Sequence, residues 1–246
     1  MKISIITVCY NSAKTLENTI QSVLAQTHPA FEYIIVDGNS TDGTLDIIKK
    51  YSHSKNLKWI SEPDQGLYDA MNKGIKLCSG EYIGILNSDD LFYSDNTLQE
   101  VNSFLEQHPQ QDAITGNIVQ HRDGKIIREY SSKKWTPEKL KIGFMPPHPS
   151  IFIKKSIFEK YGLYTLGYKI AADYEMIIRF FLKNKISFLY SGITTTSMLV
   201  GGASSSGLTS YKTITKEIEK AFAQNKIKYS PIKVKYRALW KFFDFI

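Results

Sequence analysis

Apolar residues recur along this chain at two alternating periods. Ile3 to Val8 is a short run of β-branched residues that reads as a buried strand. Leu16, Ile20, Val23 and Leu24 then repeat at helical spacing; Asn11 or Ser12 can cap this helix, which runs to about Gln26, and Pro29 falls beyond its end. Phe31 to Val36 predicts a second strand, and Asp37-Gly-Asn-Ser-Thr-Asp-Gly43 supplies turn and cap residues before a helix through Leu45, Ile47 and Ile48. Leu57 to Ile60 predicts a third strand. After Glu62-Pro-Asp-Gln-Gly66, the spacing of Leu67, Met71 and Ile75 predicts a helix that Ser79-Gly80 closes. A fourth apolar run, Glu81-Tyr-Ile-Gly-Ile-Leu-Asn-Ser-Asp-Asp90, ends in a polar, acidic cluster. Strand and helix signals in strict alternation predict an α/β fold, with a mostly parallel sheet covered by helices on both faces.

The second half is less regular. Asp95 opens a helix to about Gln107, and Asp112 to Val119 with Lys125 to Tyr130 flank Arg122-Asp-Gly124, whose Asp-Gly pair signals a hairpin. Three prolines keep Phe144-Met-Pro-Pro-His-Pro149 out of regular structure. Ser150 to Ile153 reads as a strand, and Ser156 with Glu159 has capping-box spacing for a short helix. An amphipathic helix is expected from about Asp173 to Lys183, strands at Ile186 to Tyr190 and Thr194 to Val200, and a flexible loop at Gly201-Gly-Ala-Ser-Ser-Ser-Gly207. No internal repeat and no long linker divides the chain. The expected organisation is a catalytic unit over 1–210, with a nucleotide-binding half to 110 and an acceptor half from 111, followed by a basic helical segment over 211–246.

Composition narrows the class. With 42% hydrophobic residues the chain can fill a core, yet no apolar run reaches the roughly 18 residues of a membrane-spanning helix. The lysine and apolar run at the N-terminus are too short for a signal peptide and lack a cleavage site, so they read as a first strand; the expected placement, from the two cysteines, is cytoplasmic. Cys9 and Cys78 sit beside apolar segments and read as reduced core thiols rather than a disulfide. Charge is uneven: nine basic and three acidic residues lie from Lys212 onward, a surplus of six out of a net charge of +7. If the segment after Pro231 is helical, Ile232, Tyr236, Leu239, Trp240, Phe243 and Ile246 share one side and Lys233, Arg237 and Lys241 another. That pattern fits peripheral contact with an anionic membrane surface; a helix packing its aromatics on the catalytic unit is the alternative.

Candidate chemistry gathers where strands end. Asp37, Asp64, Asp89 with Asp90, and Asp173 with Glu175 lie at strand exits or helix starts. Ligands of an open parallel sheet bind beyond the carboxyl ends of its strands, so Tyr10, Asp37 and Asp89 are expected around one crevice. Carboxylates after an apolar strand suit a hard cation such as Mg²⁺ or Mn²⁺, although an Asp-rich turn is the plainer reading of the same residues. Likewise, Asp173 at a helix start is an ordinary N-cap unless other evidence gives it chemistry.

Four segments in order supply such evidence. Ile34-Ile-Val-Asp-Gly-Asn-Ser-Thr-Asp-Gly-Thr44, Gly66-Leu-Tyr-Asp-Ala-Met-Asn-Lys-Gly-Ile75, Gly80-Glu-Tyr-Ile-Gly-Ile-Leu-Asn-Ser-Asp-Asp90 and Ala171-Ala-Asp-Tyr-Glu175 resemble the successive motifs of glycosyltransferase family 2, inverting enzymes with a GT-A fold. The resemblance covers about residues 1 to 205. It implies a UDP-sugar donor, with Tyr10 and Asp37 lining the nucleoside pocket and Asn87-Ser88-Asp89 at the D-x-D position, where Asp89 holds Mn²⁺ or Mg²⁺. It implies Asp173 as the catalytic base, and a hexose or N-acetylhexosamine added to a lipid-linked, undecaprenyl-diphosphate type of saccharide in O-antigen, capsule or exopolysaccharide synthesis. Departures have consequences. Asn87 adds no charge to the metal site; Gly38 replaces the second Asp of the commoner D-D-G-S, so base recognition leans on Asp37 or Asp64; Ala172 replaces the usual Glu before the base. No processive Q-x-x-R-W motif occurs, which favours one sugar per cycle. Lys73 can reach a phosphate or be a solvated helix lysine, and His148 can touch phosphate or acceptor or be a plain loop residue. The competing classes are an inactive sugar-nucleotide binder and a nucleic-acid-binding protein using the basic tail; the acidic crevice argues against nucleic acid.

Overall fold

The β-branched runs pair side by side. In the computed structural model, which describes residues 1–122, 124–199 and 208–237, strands β1 (Ile3–Cys9), β2 (Phe31–Asp37), β3 (Leu57–Ser61) and β4 (Tyr82–Ile85) are parallel in the order β3-β2-β1-β4. Every residue of β1 and β2 is buried, because helices cover both faces. Ile6, Val8, Ile34 and Val36 pack with Tyr68, Met71 and Ile75 of α3 (Leu67–Leu77). Ile3, Ile5, Tyr33 and Ile35 pack on the other face with α1 (Leu16–Leu24), Ile48 of α2 (Thr44–Tyr51) and α4 (Thr97–Gln107). Alternate side chains of one strand thus serve two cores. Helix α3 approaches β1 closely: a Cβ on Gly74 would lie 2.6 Å from Ile6 Cγ2.

The sheet continues through β8 (Phe152–Lys154), β6 (Ala113–Arg122), β9 (Phe188–Leu199) and β5 (Asp90–Phe92), with β7 (Lys125–Ser131) against β6. One mixed sheet therefore joins the two expected halves of the α/β fold. Pairings β4–β8, β6–β8, β6–β7 and β5–β9 are antiparallel, while β6 and β9 run parallel. The hairpin after β6 forms as expected, its Asp123 lying outside the described residues.

Local differences have local causes. The two strands expected between Ile186 and Val200 are one strand, β9, because the break is absorbed as a bulge: Thr115 pairs with Tyr190 and Asn117 with Thr194, and Gly192 takes φ 76° inside the two-residue excess. Strand β5 has no alternating pattern of its own and exists through pairing with Thr196, Ser197 and Met198. In the proline-rich stretch, His148–Ser150 makes a single 3₁₀ turn. The helix expected over 173–183 is α6 (Ala172–Ile177) followed by a π-helical turn, Ile178–Lys183. There Arg179 donates to the carbonyls of Gly162 (2.8 Å) and Leu163 (2.6 Å), and its Nε lies 3.0 Å from Glu175 Oε1. The short helix α5 (Lys155–Tyr161) carries no side-chain cap from Ser156, so the capping box does not form.

The C-terminal segment is helical where described, in α7 (Leu208–Asn225) and α8 (Pro231–Lys235). Ile218, Ala221, Phe222 and Val234 are buried in the same core as α6. Arg237, expected with Lys233 and Lys241 on a basic side of the helix, is instead buried: its guanidinium sits 4.0 Å from the Tyr211 ring and donates to Thr215 Oγ1 at 2.6 Å. A guanidinium can be buried there because aromatic stacking and hydrogen bonds replace its water. Ile232 and Tyr236 remain exposed. Leu239, Trp240, Lys241, Phe243 and Ile246, like the Gly201–Gly207 loop, lie outside the described residues. Among the described residues, no helix is long and apolar enough to cross a membrane.

Candidate active site

Parallel pairing aligns the carboxyl ends of β1, β2 and β3, with Cys9 beside Asp37 and Asp37 beside Ser61. The loops leaving β1 and β2 are stitched together. Asn11 N–H donates to Ser40 Oγ (2.8 Å), Thr41 N–H to Asn11 Oδ1 (2.9 Å) and Ser12 N–H to Thr44 Oγ1 (2.8 Å). Asn11 and Asn39 pay with positive φ angles, 50° and 66°, the kind of backbone strain that structure elsewhere must hold in place. At this rim Tyr10 is 63% exposed, an aromatic face open to a planar ligand.

Asp37 and Asp64 occupy the same rim differently. Asp37 is fully buried and its carboxylate is taken: it accepts from Ser40 N–H (3.0 Å), the Ser40 hydroxyl, the Ser61 hydroxyl (2.7 Å) and the Cys9 thiol (3.7 Å). Burial and these acidic neighbours push the Cys9 thiol far above its ordinary range, so it is an inert core thiol. Asp64 accepts from Gly66 N–H with Oδ1 (2.7 Å), while its Oδ2 lies 2.5 Å from where a Cβ on Gly38 would be. Gly38 therefore makes room for Asp64. Lys73 does not point to a free anion: Nζ donates to the Pro63 carbonyl at 2.7 Å and pairs with Glu62 at 2.9 Å and Asp69 at 3.8 Å, tying down the β3–α3 loop that carries Asp64.

At the exit of β4, Asn87 donates to Asp90 Oδ2 at 2.9 Å, and the Ser88 hydroxyl lies 3.1 Å from that of Ser12. Asp90 is buried at the start of β5; burial and the charge of Asp89 push its carboxyl up to about 7. Asp89 is partly exposed and its carboxylate has no hydrogen bond or ion pair among the described residues. The described residues contain no group of three or more His, Cys, Asp or Glu arranged for a metal. One open carboxylate fits Mg²⁺ or Mn²⁺ whose other positions are filled by water and a ligand's phosphate oxygens, rather than a closed protein cage.

Asp173 sits in the first turn of α6, partly buried, with Oδ1 accepting from Tyr174 N–H at 2.8 Å. Burial, with a smaller contribution from the charge of Glu217, raises its carboxyl to about 6. A carboxylate near neutrality is ionised at physiological pH yet basic enough to take a proton. The segment leading to it is docked on α3: the Tyr68 hydroxyl donates to the Ile170 carbonyl, Asn72 and Tyr164 exchange two hydrogen bonds of 2.9 Å, and the rings of Tyr68 and Tyr164 stack at 5.5 Å. Tyr68 and Asn72 are one helical turn apart, so a single face of α3 holds the second half of the molecule. His148 shares a 2.8 Å hydrogen bond with the Tyr164 hydroxyl, and burial lowers it to about 4, which leaves it neutral. A neutral, committed imidazole supports Tyr164 rather than neutralising a phosphate.

Ser40, Ser61, Tyr68, Asn72 and Tyr164 hold the candidate residues in place and were not singled out from the sequence. Ser40, Tyr68 and Asn72 lie inside the family-like segments, yet nothing in their spacing shows what they hold.

Comparison with known proteins bears on this geometry. Residues 4–182 match the model of glycosyl transferase family 2. A PGL/p-HBAD biosynthesis glycosyltransferase of Mycobacterium bovis is 32% identical over 184 residues, covering 72% of this chain and 69% of its own. An uncharacterized glycosyltransferase of Mycobacterium tuberculosis is 34% identical over 188 residues, covering 72% and 68%. Among solved structures, S. aureus TarS 1-349 in complex with UDP-GlcNAc superposes with a TM-score of 0.71 at 24% identity, over 90% of this chain and 66% of that one. The mannosyltransferase PcManGT of Pyrobaculum calidifontis, in complex with GDP-Man and Mn²⁺, gives a TM-score of 0.68 at 19% identity, over 96% and 68%. The chain thus spans just under two thirds of the TarS fragment, and likeness at these identities concerns the fold.

Proposed function

The chain belongs to glycosyl transferase family 2, and we propose that it moves a hexose or N-acetylhexosamine from a UDP-sugar to a saccharide acceptor with inversion at the anomeric carbon. The observation that carries this reading is Asp173: a partly buried carboxylate raised to about 6, in the first turn of α6 and just after a segment docked on Tyr68 at the start of α3. In an inverting displacement, a carboxylate on one face takes the acceptor hydroxyl's proton while the nucleotide leaves from the other. Asp173 is that base. Tyr10 packs on the nucleobase, Asp64 accepts from its polar edge beside Gly38, and buried Asp37 holds the rim on which they stand. Asp89 would hold a divalent cation, which would supply positive charge against the negative charge gathering on the departing diphosphate. Support for a UDP-sugar comes from the fold shared with TarS, which binds UDP-GlcNAc.

The acceptor in this reading is lipid-linked, of the undecaprenyl-diphosphate type, in O-antigen, capsule or exopolysaccharide synthesis, and the enzyme works at the inner face of the cytoplasmic membrane. Exposed Ile232 and Tyr236 with Lys226, Lys228, Lys233 and Lys235 support that placement. Basic residues near an anionic leaflet contribute about 1 kcal/mol each before screening. The test is nucleotide release from a panel of UDP- and GDP-sugars, with and without Mn²⁺, and the anomeric configuration of the product by NMR. UDP release with an inverted product is expected; release only from GDP-sugars, or a retained anomer, overturns the donor or the mechanism.

A further inference from the structure

The match to the family model ends at residue 182, yet the segment that presents Asp173 is held from beyond it. On α7, Glu217 accepts three peptide N–H groups in a row: Lys169 (2.6 Å) to Oε1, then Ile170 (3.0 Å) and Ala171 (2.8 Å) to Oε2. The Ala171 carbonyl in turn accepts from Glu175 N–H in the first turn of α6. Lys220 donates to the Gly167 carbonyl at 3.0 Å and packs over the Tyr168 ring, and the Tyr168 hydroxyl donates to Gln224. Glu217, Lys220 and Gln224 recur at three and four residues, so one stripe of α7 grips residues 167–171. Asn225, one residue on, donates to Glu175 Oε1 at 3.0 Å and ties α7 to α6 itself. From the opposite side Tyr68 of α3 holds the Ile170 carbonyl. The backbone two to four residues before the base is therefore clamped between two helices, and the carboxylate of Glu217 is the only acidic group in the clamp's contact with that backbone among the described residues.

We propose that Glu217 is a positioning residue for the transfer reaction: by fixing the peptide N–H groups of Lys169, Ile170 and Ala171 it sets where Asp173 stands relative to the acceptor hydroxyl. This rests on the reading of Asp173 as the base. A carboxylate that accepts three backbone N–H groups is a strong, charge-assisted clamp, and small misplacement of a catalytic group costs up to about 10²-fold in rate. Glu217 also acts through its charge. The ionisable groups that face Asp173 are Glu217 and the phenols of Tyr68, Tyr164 and Tyr174; the phenols are all raised by burial and stay neutral, so Glu217 is the one that carries charge.

The test uses the full chain with Glu217→Gln, Glu217→Ala and Asp173→Asn, the donor identified by the panel above, and a carboxyl ¹³C NMR titration of Asp173, assigned by its loss in Asp173→Asn. Glu217→Ala is expected to lower kcat tenfold or more with donor KM within about twofold, because the donor site stands on other elements. Glu217→Gln keeps the shape and one acceptor oxygen; removing the negative charge favours ionised Asp173, so its titration and the acid limb of kcat move to lower pH, which a purely structural tie would not do. If Asp173→Asn is inactive while both Glu217 variants keep wild-type kcat and an unmoved titration, the positioning role is wrong. If Asp173→Asn keeps wild-type turnover, the base assignment fails instead. Should Glu217→Ala fold poorly, Glu217→Gln alone decides.

Discussion

Asp173 is a carboxyl whose partial burial bears on stability. Its folded carboxyl titrates near 6 against an ordinary 3.8, so between these values the folded chain binds more protons than the unfolded one. Stability is therefore lost as pH rises through that window, and the ionised group costs the fold up to about 3 kcal/mol above it, less whatever its partial exposure relieves. Asp173→Asn is expected to melt several degrees higher than wild type at pH 7.5 and equally at pH 4; a lower melting temperature at pH 7.5 would show the carboxylate to be stabilising. Gly38 is the second case. A Cβ there would meet Asp64 Oδ2 at 2.5 Å, so Gly38→Ala should push Asp64 aside and raise donor KM about tenfold with kcat little changed. An unchanged KM would remove Asp64 from donor recognition. Sequence left base recognition to either Asp37 or Asp64, because what commits Asp37 is hydrogen bonds from Ser40, Ser61 and Cys9 that no spacing displays.

At the scale of elements, the strand exits were legible and their commitments were not. A mostly apolar run followed by Asn-Ser-Asp-Asp marks the end of β4, yet Asp90 turns inward to start β5, a strand that exists through pairing with β9. That leaves Asp89 as the one open carboxylate of the pair. Mn²⁺ alone is therefore expected to bind weakly and to bind tightly only with UDP, which supplies diphosphate oxygens. Electron paramagnetic resonance of Mn²⁺ with and without UDP measures this, and Asp89→Ala should abolish the UDP-dependent binding; full activity in excess chelator would recast the Asp pair as a turn. Helix α3 teaches the same lesson. Its apolar period was visible at Met71 and Ile75, but Leu67, expected on the same face, is exposed, and Tyr68 with Asn72 is buried where residues 164–170 dock. Contacts between residues about 100 positions apart leave no local periodicity.

Over the whole molecule, alternation of strands and helices was enough to predict the layered α/β architecture, because period 2 and period 3.6 patterns are set by burial. Less legible was the C-terminal segment, where an amphipathic pattern fits either a membrane or a protein surface. The fold divides it: Val234 and Arg237 pack inward, Ile232 and Tyr236 face out. Cutting the chain at 230 would expose the core along with removing any anchor, so Ile232→Ser with Tyr236→Ser is the cleaner probe. This variant is expected to lose at least half of its sedimentation with anionic vesicles at matched salt while keeping its melting temperature; unchanged sedimentation would place the contact elsewhere.

The central claim is proton transfer to Asp173 in a single displacement. Steady-state turnover of Asp173→Asn, measured beside UDP affinity and melting temperature, tests it most directly. The account predicts turnover reduced about 10² to 10⁴-fold with donor affinity and fold intact, as loss of a general base requires; a folded variant that binds UDP and retains more than about a tenth of wild-type turnover would contradict it.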